Sequence, residues 1–240
     1  MATLSKIIVS SLLGLLFLSC SFNGNSVFGV SGNGEVKTEQ RAVSESFHTI
    51  EASNGLDVYI NQGNEESISV QADENLHELI ITEINDGILK ITTSKNIGNA
   101  SAKKVILDVV NIKKIKGTSG SDVFSTNTIT AENLEISANS GSDIHLSIET
   151  ETVNAKASSG SDIKLDGTTN SLTAQASSGA DIKAKQLIVG QVNAKASSGS
   201  DITITVTNEL EANASSGGSV KYYGNPTIIS KTDDVVRKGN

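Results

Sequence analysis

Five aspartates occupy the same place in a repeated phrase, and they are the first groups in this chain that could do chemistry. Asp122, Asp143, Asp162, Asp181 and Asp201 each stand two residues after a glycine, at Gly120, Gly141, Gly160, Gly179 and Gly199. A sixth glycine, Gly217, closes the series without an acid. Carboxylates on adjacent strands would lie about 5 Å apart and repel one another, unless they accept hydrogen bonds or a cation. Calcium takes six to eight oxygens, and each phrase offers one acidic group. The D-x-D-x-D-G loop with a distal glutamate is absent, as are the nine-residue period and paired glycines of calcium-binding β-rolls. Paired carboxyls for glycoside hydrolysis need about 5–9 Å between them inside a cleft. A row of turns on a regular stack offers no cleft. The expectation is therefore structural, with no metal and no cofactor. Glycine supplies a φ > 0 corner, and the flanking serine and aspartate bond the turn's N–H groups.

The other reactive side chains form no constellation in the sequence. His48, His77 and His145 are far apart and near no serine or cysteine nucleophile motif. His145 alternates in register with Asp143 and reads as an outward, solvated residue. Arginine occurs only at Arg41 and Arg237, tryptophan not at all, and aromatic residues make up 3%. A polysaccharide-cleaving β-helix would want clustered acids, arginine or calcium, and aromatic platforms. No phosphate loop or zinc spacing is present, so catalysis is not expected.

The elements that position these residues are strands. The phrase Ser-Ser-Gly-Ser-Asp recurs with its glycines 21, 19, 19, 20 and 18 residues apart, and a period near 20 means stacked units. Around each glycine run two segments of period 2, for example Val153-Asn154-Ala155-Lys156-Ala157 and Ile163-Lys164-Leu165. Alternation marks a strand with one buried face. One unit cannot bury its own apolar residues, but parallel stacking can. It would place Ala155, Ala174, Ala194 and Ala212 in one inward ladder, and Ile163, Ile182, Ile202 and Val220 in another. The expected fold is all-β, a right-handed parallel β-helix of about 20-residue coils with a β-rich N-terminal cap.

Compartment follows from the N-terminus. Ile7 to Leu18 is an apolar run behind Lys6, too short to span a membrane and fit for a secretory h-region. Cys20, the only cysteine, follows Leu18-Ser19 and cannot make an internal disulfide. It reads as the lipidation site of a bacterial lipobox, with Phe17 where leucine is usual. Ser21 at the next position carries no inner-membrane retention signal, so outer-membrane attachment is the expected default, on the surface or periplasmic face. Removing residues 1–19 leaves 18 basic against 27 acidic side chains, a net −9. That balance excludes nucleic acid as a partner. The lysines read as dispersed over outward faces, which gives an anionic membrane surface no patch to hold.

Along the chain the reading is a signal peptide over 1–19 and a lipid-anchored tether over 20–43. A β-rich part follows over 44–116, then the repeats over 117–231 and a polar tail over 232–240. Within the β-rich part, Asn85-Asp86-Gly87 between two alternating runs signals a hairpin. Tyr222, Tyr223 and Pro226 are expected to close the stack.

The opening Phe47-His48-Thr49-Ile50-Glu51-Ala52-Ser53-Asn54-Gly55-Leu56-Asp57-Val58, the repeated Ser-Gly-Ser-Asp and the closing Tyr223-Gly224-Asn225-Pro226 resemble the head GIN domain family, described as auto-transporter adhesins. The resemblance covers about residues 44–231. It implies a β-helical secreted or lipid-anchored protein of Gram-negative envelopes and brings no catalytic residues. The expected function is a non-catalytic envelope lipoprotein acting as an adhesin or interaction module. Its partners would be the membrane, through the anchor, and a glycan or envelope protein. A carbohydrate-active β-helix and a self-associating spacer, which would form homo-oligomers, are the alternatives.

Overall fold

The computed structural model describes residues 29–231 and 235–239. Alternating sequence gives sixteen strands along them. They are β1 (Val36–Arg41), β2 (Thr49–Ala52), β3 (Asp57–Gln62), β4 (Ser67–Asp73), β5 (Ile80–Asn85), β6 (Ile88–Thr93), β7 (Lys103–Val109) and β8 (Lys114–Gly117). The repeats follow as β9 (Asp122–Asn139), β10 (Asp143–Ser158), β11 (Asp162–Ser177), β12 (Asp181–Ser197) and β13 (Asp201–Ser215). Three short strands end the chain, β14 (Ser219–Tyr223), β15 (Thr227–Lys231) and β16 (Val236–Lys238). The result is a β-solenoid of about six turns with about 19 residues per turn.

Each of β9 to β13 runs once around the solenoid and pairs in parallel with the next. Ala155, Ala174, Ala194 and Ala212 are register partners and fully buried, as the alternation requires. Ile163, Ile182, Ile202 and Val220 form the second inward ladder. Each buried isoleucine contributes about 1.5–3 kcal/mol, so the larger residues supply most of the core's stabilisation, and the alanines let opposite walls approach. Unequal repeat lengths are absorbed locally. The 21-residue offset between Phe124 and His145 becomes 19 between Thr128 and Ser147, across a register shift in β9.

Before the repeats, chain order and stacking order part. β2 and β3 form the first coil. On one side of it lie β8 and β9, with Thr49 beside Lys114 and Asp57 beside Asp122. On the other side lie β6 and β7, with Thr49 beside Ile88 and Asp57 beside Lys104. Residues 63–113 thus leave the stack, build the layer beyond the first coil, and return on its opposite side. The parallel pairing is ended there by antiparallel strands: β5 on β6, β4 on β7, and β1 on β4. Asp86 and Gly87 take φ values of 52° and 72° at the β5–β6 hairpin.

Two expected segments differ in the structure. The tether is docked from Gly29 onward: Val30 and Gly32 donate to the carbonyls of Asn96 and Asn99, and Val36–Arg41 is a strand. Backbone pairing at an edge needs no apolar side chain, so a polar sequence does not prevent it. The polar tail likewise contains β16, paired with β14, and its Val236 is buried. One apolar side chain over the end of the core suffices to hold it.

Candidate functional site

The six repeat glycines stand at six equivalent corners, with φ between 68° and 79°. The serine before each glycine is also left-handed. Ser119, Ser140, Ser159, Ser178, Ser198 and Ser216 have φ of 50–57°. Two consecutive positive-φ residues define a type I′ turn, in which the residue after the glycine donates back across the turn. Ser121, Ser142 and Ala180 do so to Thr118, Asn139 and Ser177 at 3.3 Å each. The turns also bond to one another: Gly120, Gly141, Gly160, Gly179 and Gly199 each donate to the left-handed serine of the next coil at 3.0–3.1 Å.

Of the serine and aspartate expected to bond the turn's N–H groups, it is the serine that does so. Ser121, Ser142, Ser161 and Ser200 are fully buried. Each accepts from the first N–H of its own turn, as Ser161 Oγ does from Ser158 at 3.0 Å. Ser121, Ser161 and Ser200 then donate to Ala52, Ala138 and Ala176 in the preceding coil at 2.8–3.1 Å. The aspartates lie on the outside instead. Asp122, Asp143, Asp162, Asp181 and Asp201 are register partners, and Asp57 extends the row.

Two residues further on, the same strands carry a second outward row: Tyr59, Phe124, His145, Lys164, Lys183, Thr203, Lys221 and Arg237. Lys164, Lys183 and Lys221 thus share one column, interrupted by Thr203. Lys183 lies 2.6 Å from Asp162 and 3.4 Å from Asp181, and its pKa is raised, chiefly by the hydrogen bond to Asp162. Where rings replace lysines, that compensation is weaker. Burial, with Asp143 and Asp57 alongside, pushes the Asp122 carboxyl up, while Lys103 pulls against it. Tyr59 and Phe124 stack with centroids 5.3 Å apart, and Lys104 lies 5.4 Å from the Tyr59 ring centre.

The histidines are not brought together. His145 sits on this outer face, 3.5 Å from Asp166. His77 is buried under β1 with Nε2 3.2 Å from the carbonyls of Lys37 and Ala72. His48 borders a groove of about 1060 Å³ where the cap meets the coils. The loop after β3 and the loop between β7 and β8 form its sides. Its floor carries two outward polar rows, Asn133–Thr152–Ser171 and Glu135–Asn154–Thr173. Gln62 pins the loops. Its side chain donates to the carbonyls of Val110 and Thr130, both at 3.1 Å, and accepts from Thr130 N at 2.7 Å. Glu135 is held by Lys114 at 3.0 Å. Among the described residues, no group of three His, Cys, Asp or Glu is placed to hold a metal ion.

Residues 46–226 match the family model described as “Putative auto-transporter adhesin, head GIN domain”. The chain belongs to the head GIN domain family. Solved structures share the head GIN fold at low identity. A “putative adhesin” from Bacteroides fragilis is 24% identical with a TM-score of 0.77, over 87% of this chain and 95% of that one. One from Parabacteroides merdae is 19% identical with a TM-score of 0.73, over 88% and 99%. A “putative lipid binding protein” from Parabacteroides distasonis is 17% identical with a TM-score of 0.66, over 88% and 99%. No curated protein matches the chain. An adhesin-type family points to the cell envelope or cell surface. Among the described residues no helix is long and apolar enough to cross a membrane. Cys20 lies outside the described residues.

The sequence reading missed the first copy of the turn and the outward row of rings and lysines beside the aspartates. Asn54 and Gly55 have φ of 63° and 71°, so Ser53-Asn54-Gly55-Leu56-Asp57 is the same corner with Leu56 in the buried serine's place. The shared spacing from glycine to aspartate was the available signal.

Proposed function

We propose that this head GIN protein is a lipid-anchored, non-catalytic envelope protein acting as an adhesin-type interaction module. Cys20, behind its apolar run, is the attachment point, and the outer membrane of a Gram-negative cell is its location. What carries the reading is the coil exterior. Side chains of one class recur at one position of successive coils, about 4.8 Å apart, so the exterior is a repetitive polar surface rather than a single convergent site. Such a surface suits an extended partner contacted at many equivalent points.

Two measurements test this. Changing Cys20→Ser moves the protein from the membrane fraction to the soluble fraction; full retention of the variant in detergent phase refutes the anchor. The purified protein binds components of a glycan and envelope-protein array saturably and leaves them chemically unaltered. Turnover of any bound component, seen by mass spectrometry, refutes the non-catalytic reading.

A further inference from the structure

We infer that the groove between the cap and the coils is a binding site for an uncharged saccharide chain. The inference rests on the reading of this protein as an interaction module and names the ligand class of one of its surfaces. About 1060 Å³ is the size of a ligand pocket rather than of a surface dent, and junctions between structural units are where such pockets form. The site is held in shape: the Gln62 amide ties the first coil to Val110 in one wall and to Thr130 in the floor.

The chemistry of the lining selects the ligand. The floor strands β9, β10 and β11 are interior to the sheet, and β10 is paired along both edges. The backbones of β10 and β11 are spent on neighbouring coils, and on β9, which has no strand on its cap side between Ser125 and Glu135, the Gln62 amide occupies Thr130; a peptide cannot add as a strand along β10 or β11. Recognition falls to side chains, and apart from Glu132 and Glu135 the polar ones on the floor are amides and hydroxyls, among them Asn133, Asn154, Thr152 and Thr173. Each can both donate and accept, which matches a ligand rich in hydroxyl groups. The carboxylates of the lining are Glu65, Glu66, Glu132 and Glu135, the last paired with Lys114, against one lining lysine, Lys113. That excess of carboxylates disfavours uronic acids, phosphate-bearing chains and fatty acids by like-charge repulsion. Because the rows run along the solenoid axis at the strand spacing, the saccharide lies across the coils, one polar pair per strand.

The chain lacks tryptophan, so one introduced on the groove wall reports on the groove alone. The detergent-solubilised full chain carrying Asn111→Trp, an exposed position of the groove wall, is titrated with four neutral probes: cellohexaose, laminarihexaose, maltohexaose and mannohexaose. Hexagalacturonate and palmitate form the charged arms. The expected result is a saturable emission shift with at least one neutral hexaose and none with the charged probes. Adding Asn154→Ala and Thr173→Ala weakens that binding about tenfold or more, with the melting midpoint kept, since two side-chain hydrogen bonds are lost. No shift with any neutral hexaose at millimolar concentration overturns the inference. So does a shift confined to hexagalacturonate or palmitate, or unchanged affinity in the double alanine variant. If the double alanine variant still adheres to the array like the parent, the groove assignment falls and the adhesin reading stands. If the parent adheres to nothing, that reading falls first.

Discussion

The serine column at the coil corner and the aspartate column beside it come from the same five-residue phrase, one position apart. The serine is buried and bonded to the backbone of two coils. The aspartate is outside and answers to side chains, a lysine in one half of the row and aromatic rings in the other. Adjacent polar residues therefore serve unlike purposes. The inner one spends its hydrogen bonds where water cannot replace them, and the outer one sits where water can. A lost bond should cost far more in the first column than in the second.

The largest effect should come from the inner column. Replacing Ser161→Ala removes one acceptor and one donor bond and leaves Ser158 N and Ala138 O without that partner. Chemical denaturation should show a loss of about 1–3 kcal/mol. The chain contains its own comparison, since Ala180 occupies the same place on the same turn geometry. Changing Ala180→Ser should raise the denaturation midpoint; an unchanged midpoint would mean the hydroxyl column contributes little.

Gly160→Val probes the corner itself. No atom stands within 4 Å of where its Cβ would be, so any cost comes from the backbone at φ 68° alone. A β-branched residue there should lose about 1–3 kcal/mol, read as a lower melting midpoint. Wild-type melting of this variant would contradict the left-handed corner.

The outer column should respond more weakly. Lys183→Met removes the cation shared by Asp162 and Asp181 and should cost at most about 1 kcal/mol. The difference from wild type should shrink in molar salt, which screens exposed charge. A loss that salt does not touch would point to packing rather than charge.

The smallest effect has the opposite sign. The Asp122 carboxyl is raised, so the native state holds its proton more tightly than the unfolded chain does. Its contribution favours the fold at acid pH and is lost as pH rises through its raised pKa. Asp122→Asn should therefore melt slightly higher than wild type at neutral pH, with the gap closing in acid. A lower midpoint at neutral pH would show that the charge is satisfied in some other way.

How much of this was legible depends on whether a feature is local in sequence. The inward ladders through Ala155 and Ile163 could be read because alternation and a repeated glycine set both the face and the register. The β5–β6 hairpin could be read because Asn85-Asp86-Gly87 dictates its own turn. The threading of the first coil could not. Parallel neighbours leave no mark on each other's sequence, and Glu51 meets Lys116 from 65 residues away. Within the phrase, Ser161 and Asp162 are both polar, and the turn breaks the alternation that would have told inside from outside. The lysine and ring rows appear only when equivalent positions of successive coils are read downward instead of along the chain. In the groove, Asn154 and Thr173 had no sequence signature, because the walls come from loops far from them along the chain.

The displaced first coil also sets an order of events. Neighbouring repeats meet across 18 to 21 residues, so each coil can zip onto the last as soon as both exist. The first coil cannot be completed that way. It stays open along one edge until residues 63–113 have made their layer and the chain has come back at Lys114. Bringing distant segments together is slow, because the loop must close before any contact rewards it. The closure that completes the first coil also brings the loop before β8 against β9, so the groove takes shape only once residues 63–113 are in place.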